Sequence, residues 1–245
     1  MDWDAATYDR IAAPQERWGL AVLDRLPLTG GERVLDAGCG SGRVTEHLLR
    51  RLGPHGSVVA LDASAAMLAE ARRRLGPWGR QVTYVHADLA SPLVGAVGGP
   101  VDAILSTATF HWVTDHDALF ANLAAALKPG GALVAQCGGP GNVAAVLEAS
   151  ARLGRPLHGH HFATPDQTRA RLEASGFGDR WVWLSPEVAT FEPGQLEVFL
   201  AAVVLRQVVD ALGPDERSGF VRAVIAQLPR AELDYVRLNI LARRR

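Results

Sequence analysis

Asp36, Asp62 and Asp88 each end a short apolar run, and Gly38-Cys39-Gly40-Ser41-Gly42 follows the first of them. Glycines in a turn after a strand let the backbone fold tightly and let a ligand approach without a Cβ in the way. The spacing separates classes of nucleotide site. A dinucleotide fingerprint, G-x-G-x-x-G, needs a third glycine where this chain has Arg43, and the run here is G-x-G-x-G. No G-K-[ST] follows, so a phosphate loop is excluded. A carboxylate two residues before the first glycine repels a pyrophosphate and suits a ligand carrying positive charge. Asp62, 26 residues beyond Asp36, is placed to accept from both hydroxyls of a ribose. Asp88 in HADL can accept from an exocyclic amine. Taken singly, Asp36 and Asp62 read equally as helix caps or loop acids. Together with the glycine spacing, they read as a site.

The segments that carry these residues alternate in type. RVLDAG, SVVALD, QVTYVHAD, VDAILSTAT and ALVAQCG read as strands. Helical patterns separate them over 41–53, 64–76 and 115–128, with Lys128-Pro129-Gly130-Gly131 as the turn into the fifth strand. Such alternation over 33–137 implies a parallel, doubly wound α/β sheet with its ligand at the carboxyl ends of the strands. Beyond it come helices over 142–154 and 164–176, a sixth strand at 181–188, two helices spanning 193–228, and a last strand at 233–242. Two helical patterns precede residue 33, and in the second Trp18, Val22 and Leu26 share a face. The 193–228 excursion is longer than a connection requires. Its apolar stripe (Leu196, Phe199, Leu200, Val203, Val204) must cover something, either an acceptor pocket or a dimer partner. The expected division is a helical lid over 1–30 and a main domain over 31–245, with 193–228 a second lid.

Composition removes other classes. Net charge is -1, from 25 basic and 26 acidic residues, which argues against a nucleic-acid surface. Lys128 is the only lysine, so a Schiff-base or phosphate-gripping lysine is disfavoured. Two cysteines, Cys39 and Cys137, make no disulfide framework. There is no 18-residue apolar stretch and no apolar run in MDWDAATYDR, so the expectation is a cytoplasmic protein without a membrane partner.

VLDAGCGSG, ALDAS, HADL and LKPGGALV together resemble the class I S-adenosylmethionine-dependent methyltransferases, and the resemblance spans 33–137. WDAATYDRIA, STATFHWV and DYVRLNILARR extend it, more weakly, to the trans-aconitate methyltransferase-like group. The resemblance implies a Rossmann-like, mostly parallel seven-stranded sheet of order 3-2-1-4-5-7-6, the last strand antiparallel. It implies S-adenosylmethionine as cofactor, with Asp62 on the ribose, Asp88 and Leu89 on the adenine, and Gly38 and Gly40 under the methionine portion. Asp36 would lie near the ammonium, directly or through water. Ala63, Met67 and Ser106 complete the cofactor set.

Methyl transfer from a sulfonium needs an acceptor held in line, and a general base only if that acceptor carries a proton. His111, just past the fourth strand, is the candidate base, or else a packing residue. Arg237 shares a strand face with Tyr235 and Asn239. It could clamp a carboxylate, or simply pair with Asp234 or Glu232. Trp112 and Tyr235 are candidate walls of an acceptor pocket, while Tyr8 and Gln15 would close over the site from the N-terminal helices. His158, His160 and His161 lack the companions that complete a metal site and read as a solvated loop, so no metal is expected. The reading is a small-molecule methyltransferase, O-methylation favoured, monomeric or homodimeric. A non-catalytic S-adenosylmethionine-binding subunit, a methyltransferase acting on a macromolecule, and a NAD-dependent oxidoreductase are the alternatives; Arg43 and Asp36 oppose the last.

Overall fold

The computed structural model describes residues 13–191 and 194–245. Strands β1 (Arg33–Ala37), β2 (Ser57–Asp62), β3 (Val82–His86), β4 (Val101–Thr107), β5 (Leu127–Gly138), β6 (Trp181–Thr190) and β7 (Glu232–Arg243) form one sheet. Its order is β3-β2-β1-β4-β5-β7-β6, as the resemblance implied. β1 pairs in parallel with both β2 and β4, with Asp36 opposite Ala60 and Leu105. β7 runs antiparallel between β5 and β6. The apolar runs of β1 and β2 are buried on both faces, as a covered parallel sheet requires.

Successive residues feed opposite cores. Leu35, Val59, Ile104 and Leu133 join Phe110 and Phe120 on one face. Val34, Val58, Leu105 and Val134 join Val22, Leu49 and Leu68 on the other. The covering helices include α1 (Ala13–Leu23), α2 (Arg43–Leu52), α3 (Ala65–Leu75), α4 (His116–Ala126), α5 (Ala144–Arg152) and α6 (Pro165–Ala174). Caps fix where three of them start. Ser64 Oγ accepts from the Met67 N–H at α3, and Asp115 from the Ala118 N–H at α4. Thr164 and Gln167 form a reciprocal capping box at α6. Trp18, Val22 and Leu26 are buried together, as their spacing implied.

Two expectations need correction. The continuous helix read over 193–213 is broken into α7 (Gln195–Phe199), a π-helical stretch (Leu200–Val204) and α8 (Arg206–Asp210), before α9 (Pro214–Ile225). The Leu205 N–H reaches back five residues to the Leu200 carbonyl at 2.8 Å, and the β-branched pair Val203-Val204 sits where the helix widens. The turn read at Lys128–Gly131 is instead paired. The Gly130 N–H donates to the Arg244 carbonyl and the Arg244 N–H to the Gly131 carbonyl, so β5 starts earlier, with a register shift against β4. The excursion between β6 and β7 encloses a third core, in which Phe199, Leu200, Leu205 and Val224 meet Trp18, Val143 and Tyr235. Among the described residues, no helix is long and apolar enough to cross a membrane.

Candidate active site

A cleft of about 400 Å³ opens at the carboxyl ends of the central strands, where β1 separates β2 from β4 and open α/β sheets bind ligands. Gly38, Gly40, Asp62, Ala63, Met67, Asp88 and Leu89 line one part of it. His111, Trp112, Tyr235 and Arg237 line the other. Tyr8 and the Gln15 side chain lie outside the described residues.

The two leading glycines of the turn have different duties. Gly38 has φ +86°, and a Cβ there would run into the Thr109 side chain, so this glycine lets β1 and the segment after β4 touch. Gly40 has φ +54° and a Cβ there would meet nothing within 4 Å; the space it leaves belongs to the cleft. Asp62 organises the same turn. Its Oδ2 accepts from the Gly40 N–H and its Oδ1 from the Ser64 N–H, both at 2.8 Å. Each oxygen keeps a lone pair for a diol. Burial raises its pKa above the ordinary carboxylate value, against these two bonds. Asp88 is exposed, with Oδ1 held by the Ala90 N–H at 2.8 Å, and buried Leu89 lies beside it.

Asp36 and Ser106 lie beneath the cleft, not along it. Asp36 is 2% exposed and accepts from the Thr45 hydroxyl at 2.6 Å. Burial pushes its carboxyl up to about 7, with the nearby Asp62 adding to the rise. Ser106 donates to the Ala37 carbonyl at 2.6 Å and so ties β4 to β1.

His111 is buried in a 3-10 turn, Phe110–Trp112. The Gly138 N–H donates to its Nδ1 at 3.2 Å. An amide can only donate, so Nδ1 carries the lone pair and Nε2 the proton. Burial first, then the Arg237 charge, hold the ring well below the ordinary imidazole range. A neutral ring with Nε2 already protonated is a hydrogen-bond donor, and the base reading is not supported by this tautomer. Beneath it, His116 Nε2 donates to the Phe110 carbonyl at 2.9 Å, and burial lowers this ring to about 4.

Arg237 is 3% exposed. Its Nε donates to Gln136 Oε1 at 3.2 Å, and its guanidinium lies 5.2 Å from the Trp18 ring and 5.7 Å from that of Tyr235. Asp234 and Glu232 are engaged elsewhere, with the Ala145 N–H and with Arg230. Asn239, expected on the same face, is fully buried behind Arg237 and bonds Gln136 and Arg25.

Several lining residues were not anticipated. His160, read as part of a solvated loop, packs on the site instead, with Phe162 beside it. The His161 N–H donates to the His111 carbonyl at 2.9 Å, pinning that loop to the turn after β4. Asn142 and Gln207 also reach the cleft. Ala108 and Val143 line it with φ of +55° and +49°. A β-branched residue held there costs about 1–3 kcal/mol, and such strain gathers at functional sites. The H-G-H-H-F composition was a signal for the loop; nothing in the sequence marks Val143. Among the described residues, no group of three or more His, Cys, Asp or Glu is placed to hold a metal.

A family model described as a methyltransferase domain matches residues 34–131. A trans-aconitate 2-methyltransferase of Methylobacterium nodulans is 32% identical, over 99% of this chain and 98% of its own length. One of Paracidovorax citrulli is 31% identical, with the same coverage of both chains. Among solved structures, phosphoethanolamine N-methyltransferase 2 of Haemonchus contortus in complex with S-adenosyl-L-methionine superposes with a TM-score of 0.65 at 22% identity. That match covers 98% of this chain and 56% of the other, so this chain spans little over half of that protein. The YcgJ protein of Bacillus subtilis gives 0.65 at 17% identity, covering 93% and 97%. These two bear on the fold alone.

Fold and cleft define an enzyme that transfers a methyl group from S-adenosylmethionine to a small molecule. The chain belongs to the trans-aconitate methyltransferase-like group of class I S-adenosylmethionine-dependent methyltransferases.

Proposed function

We propose that the acceptor is a small carboxylic acid, methylated on oxygen. The observation that carries this reading is Arg237, a buried guanidinium on the acceptor side of the cleft. The names of the relatives, which specify a carboxylic acid, point the same way. When bound, S-adenosylmethionine supplies a methyl group activated by its sulfonium. The residues fit this cofactor: Gly40 leaves room for it, Asp62 offers two pre-aligned oxygens to the ribose, and Asp88 with Leu89 takes the adenine. Asp36, under the turn, compensates the ammonium from below or through water.

An ionised carboxylate needs no base, so positioning is the whole task of the acceptor side. Arg237 orients the carboxylate by charge-assisted hydrogen bonds. His111 adds a donor through Nε2, and Trp112 and Tyr235 bound the pocket. Val203, Val204 and Gln207 line the cleft, which favours the 193–228 segment as a lid over the acceptor; the lid over 1–30 rests on the resemblance. We read the protein as a cytoplasmic monomer or homodimer with no nucleic-acid partner, in keeping with its charge balance and two buried thiols.

The test is methyl transfer to a panel of acids, with and without Arg237→Met, and S-adenosylhomocysteine titrated in parallel. The variant is expected to raise KM for acids by about 100-fold, the scale of one lost charged pair, while leaving S-adenosylhomocysteine affinity unchanged. An unaltered KM would remove the clamp.

A further inference from the structure

Two buried side chains on the acceptor side have their polarity fixed from behind. His111 takes the Gly138 N–H on Nδ1. Asn142, in the segment between β5 and α5, is 4% exposed, and its side-chain oxygen takes the Val236 N–H at 3.1 Å. That N–H can only be given to an oxygen, so the carboxamide cannot flip, and Nδ2 with its two hydrogens is the end left over. Nδ2 lies against Gly138. A Cβ there would stand 3.0 Å from it and 2.7 Å from the Phe162 ring. The absent side chain of Gly138 therefore lets Asn142 and Phe162 converge where the Gly138 N–H already holds His111.

Asn142 and His111 both line the cleft. Among the described residues, nothing accepts from Asn142 Nδ2 or from the proton on His111 Nε2. The described side-chain atoms that are sealed away without a partner are Trp18 Nε1 and His116 Nδ1; the two nitrogens here are not among them and open on the cleft. The backbone thus acts twice in one manner. An N–H from β5 and an N–H from β7 each occupy the accepting atom of a side chain and leave its donor outward. A buried donor without a partner is costly, and a ligand that accepts accounts for two of them fixed in this way.

We propose that Asn142 is a substrate-binding residue, whose Nδ2 donates to a carboxylate oxygen of the acceptor beside the His111 Nε2 donor. This rests on the carboxylate reading above. Of the acid's two oxygens, one must keep a lone pair toward the methyl group, and fixed donors on the other select that orientation. The seat discriminates by polarity. An oxygen that accepts fits it, and a protonated amine, which can only donate, does not.

Trans-aconitate, benzoate and hexanoate are offered to the full-length enzyme. For the acid methylated best, kcat and KM are compared in the parent, Asn142→Asp and Asn142→Ala. Aspartate keeps one oxygen for the Val236 N–H but turns its other oxygen on the substrate, and only when protonated does it donate as the amide does. Asn142→Asp is expected to raise KM by about 100-fold at pH 8, the scale of a like-charge contact, and to recover about 10-fold of that loss at pH 6. Each value is taken relative to the parent at the same pH. This cancels the titration of Cys137, His111, His160, Asp234, Tyr235 and Arg237, the ionisable groups on the segments around Asn142. Asn142→Ala should raise KM by about 10-fold at both pH values, with S-adenosylhomocysteine affinity unchanged. A KM equal to that of the parent in both variants would overturn the proposal and leave the carboxylate reading standing. So would a loss in folded Asn142→Asp that does not vary with pH. A fall in S-adenosylhomocysteine affinity in Asn142→Ala, in step with KM, would place Asn142 on the cofactor or in the fold and overturn it as well. A parent that forms no ester from any of the three acids would overturn both readings.

Discussion

The Gly138 amide, at the end of β5, donates to Nδ1 of His111, in the turn after β4. One backbone bond thereby sets the tautomer of a buried histidine that lines the cleft, and in that tautomer Nε2 is a donor rather than a base. His111→Ala should cost about 10-fold or more in kcat/KM for an acid, the scale of one hydrogen bond to a charged group. The shape of the pH profile should be the same in variant and parent, with no limb near pH 6.5 in either. An acid limb near pH 6.5 that vanishes in the variant would restore the base.

Gly38 and Gly40 should part company on replacement by alanine. At Gly38 the new Cβ meets the Thr109 side chain with φ at +86°, so Gly38→Ala is expected to fold poorly, its Tm lowered by several degrees. At Gly40 the Cβ enters open space. Gly40→Ala should fold with a small loss of stability, yet bind S-adenosylhomocysteine at least about 10-fold more weakly, because the methyl occupies the ligand's place. Titration and thermal melts on the pair separate the two effects. Undiminished binding by Gly40→Ala would move the cofactor off this turn.

Asp62 holds two amides with one carboxylate. An asparagine can accept from the Gly40 N–H or the Ser64 N–H, but its amino group then faces the other donor. Asp62→Asn should therefore weaken S-adenosylhomocysteine binding by about 100-fold, together with a measurable drop in Tm. Equal binding by the two proteins would count against the ribose role.

With Asp36 proposed to compensate the cofactor's ammonium, cofactor binding should be linked to protons. Burial raises it to about 7 from an ordinary 3.8, so below pH 7 the free enzyme holds a proton there. A group with a raised folded value contributes stability that is fully present below about pH 4, and this contribution fades as the pH climbs through 7. A bound ammonium favours the carboxylate and drives the proton off. Calorimetric titration with S-adenosylhomocysteine in buffers of different ionisation enthalpy should show about one proton released at pH 6 and almost none at pH 8. Asp36→Asn should abolish the difference. Equal release at both pH values in the parent protein would separate Asp36 from the ammonium.

The part of the cleft lined by Gly38, Gly40, Asp62 and Asp88 was legible because its residues follow a local pattern. The acids end strands and the glycines follow the first of them, so local pattern and site coincide. The acceptor side is assembled from segments distant in the chain, and no local pattern records their meeting. Arg237 could be singled out because it alternates with Tyr235 on one strand, yet its bond to Gln136 depends on the β5–β7 register, which puts Gly138 opposite Arg237 and Gln136 opposite Asn239. The loop at 157–163 looked solvated because histidine and glycine are polar-loop residues. His160 is instead half-buried against Trp112 and His111. Ser106 is a polar residue ending a strand beside the site, buried and bonded to the Ala37 carbonyl.

The strand inserted between β5 and β6 also orders the chain in time. The cleft residues from Gly38 to Leu89 are made early, whereas Tyr235 and Arg237 arrive with β7, and β6 has no neighbour until they do. The residues that line this part of the cleft are thus made well before those that line the other, and the edge strand waits for its partner until the chain is almost finished. Exchanging the sequence beyond Gly138 between relatives would reassign most of the acceptor pocket while leaving the cofactor turn untouched.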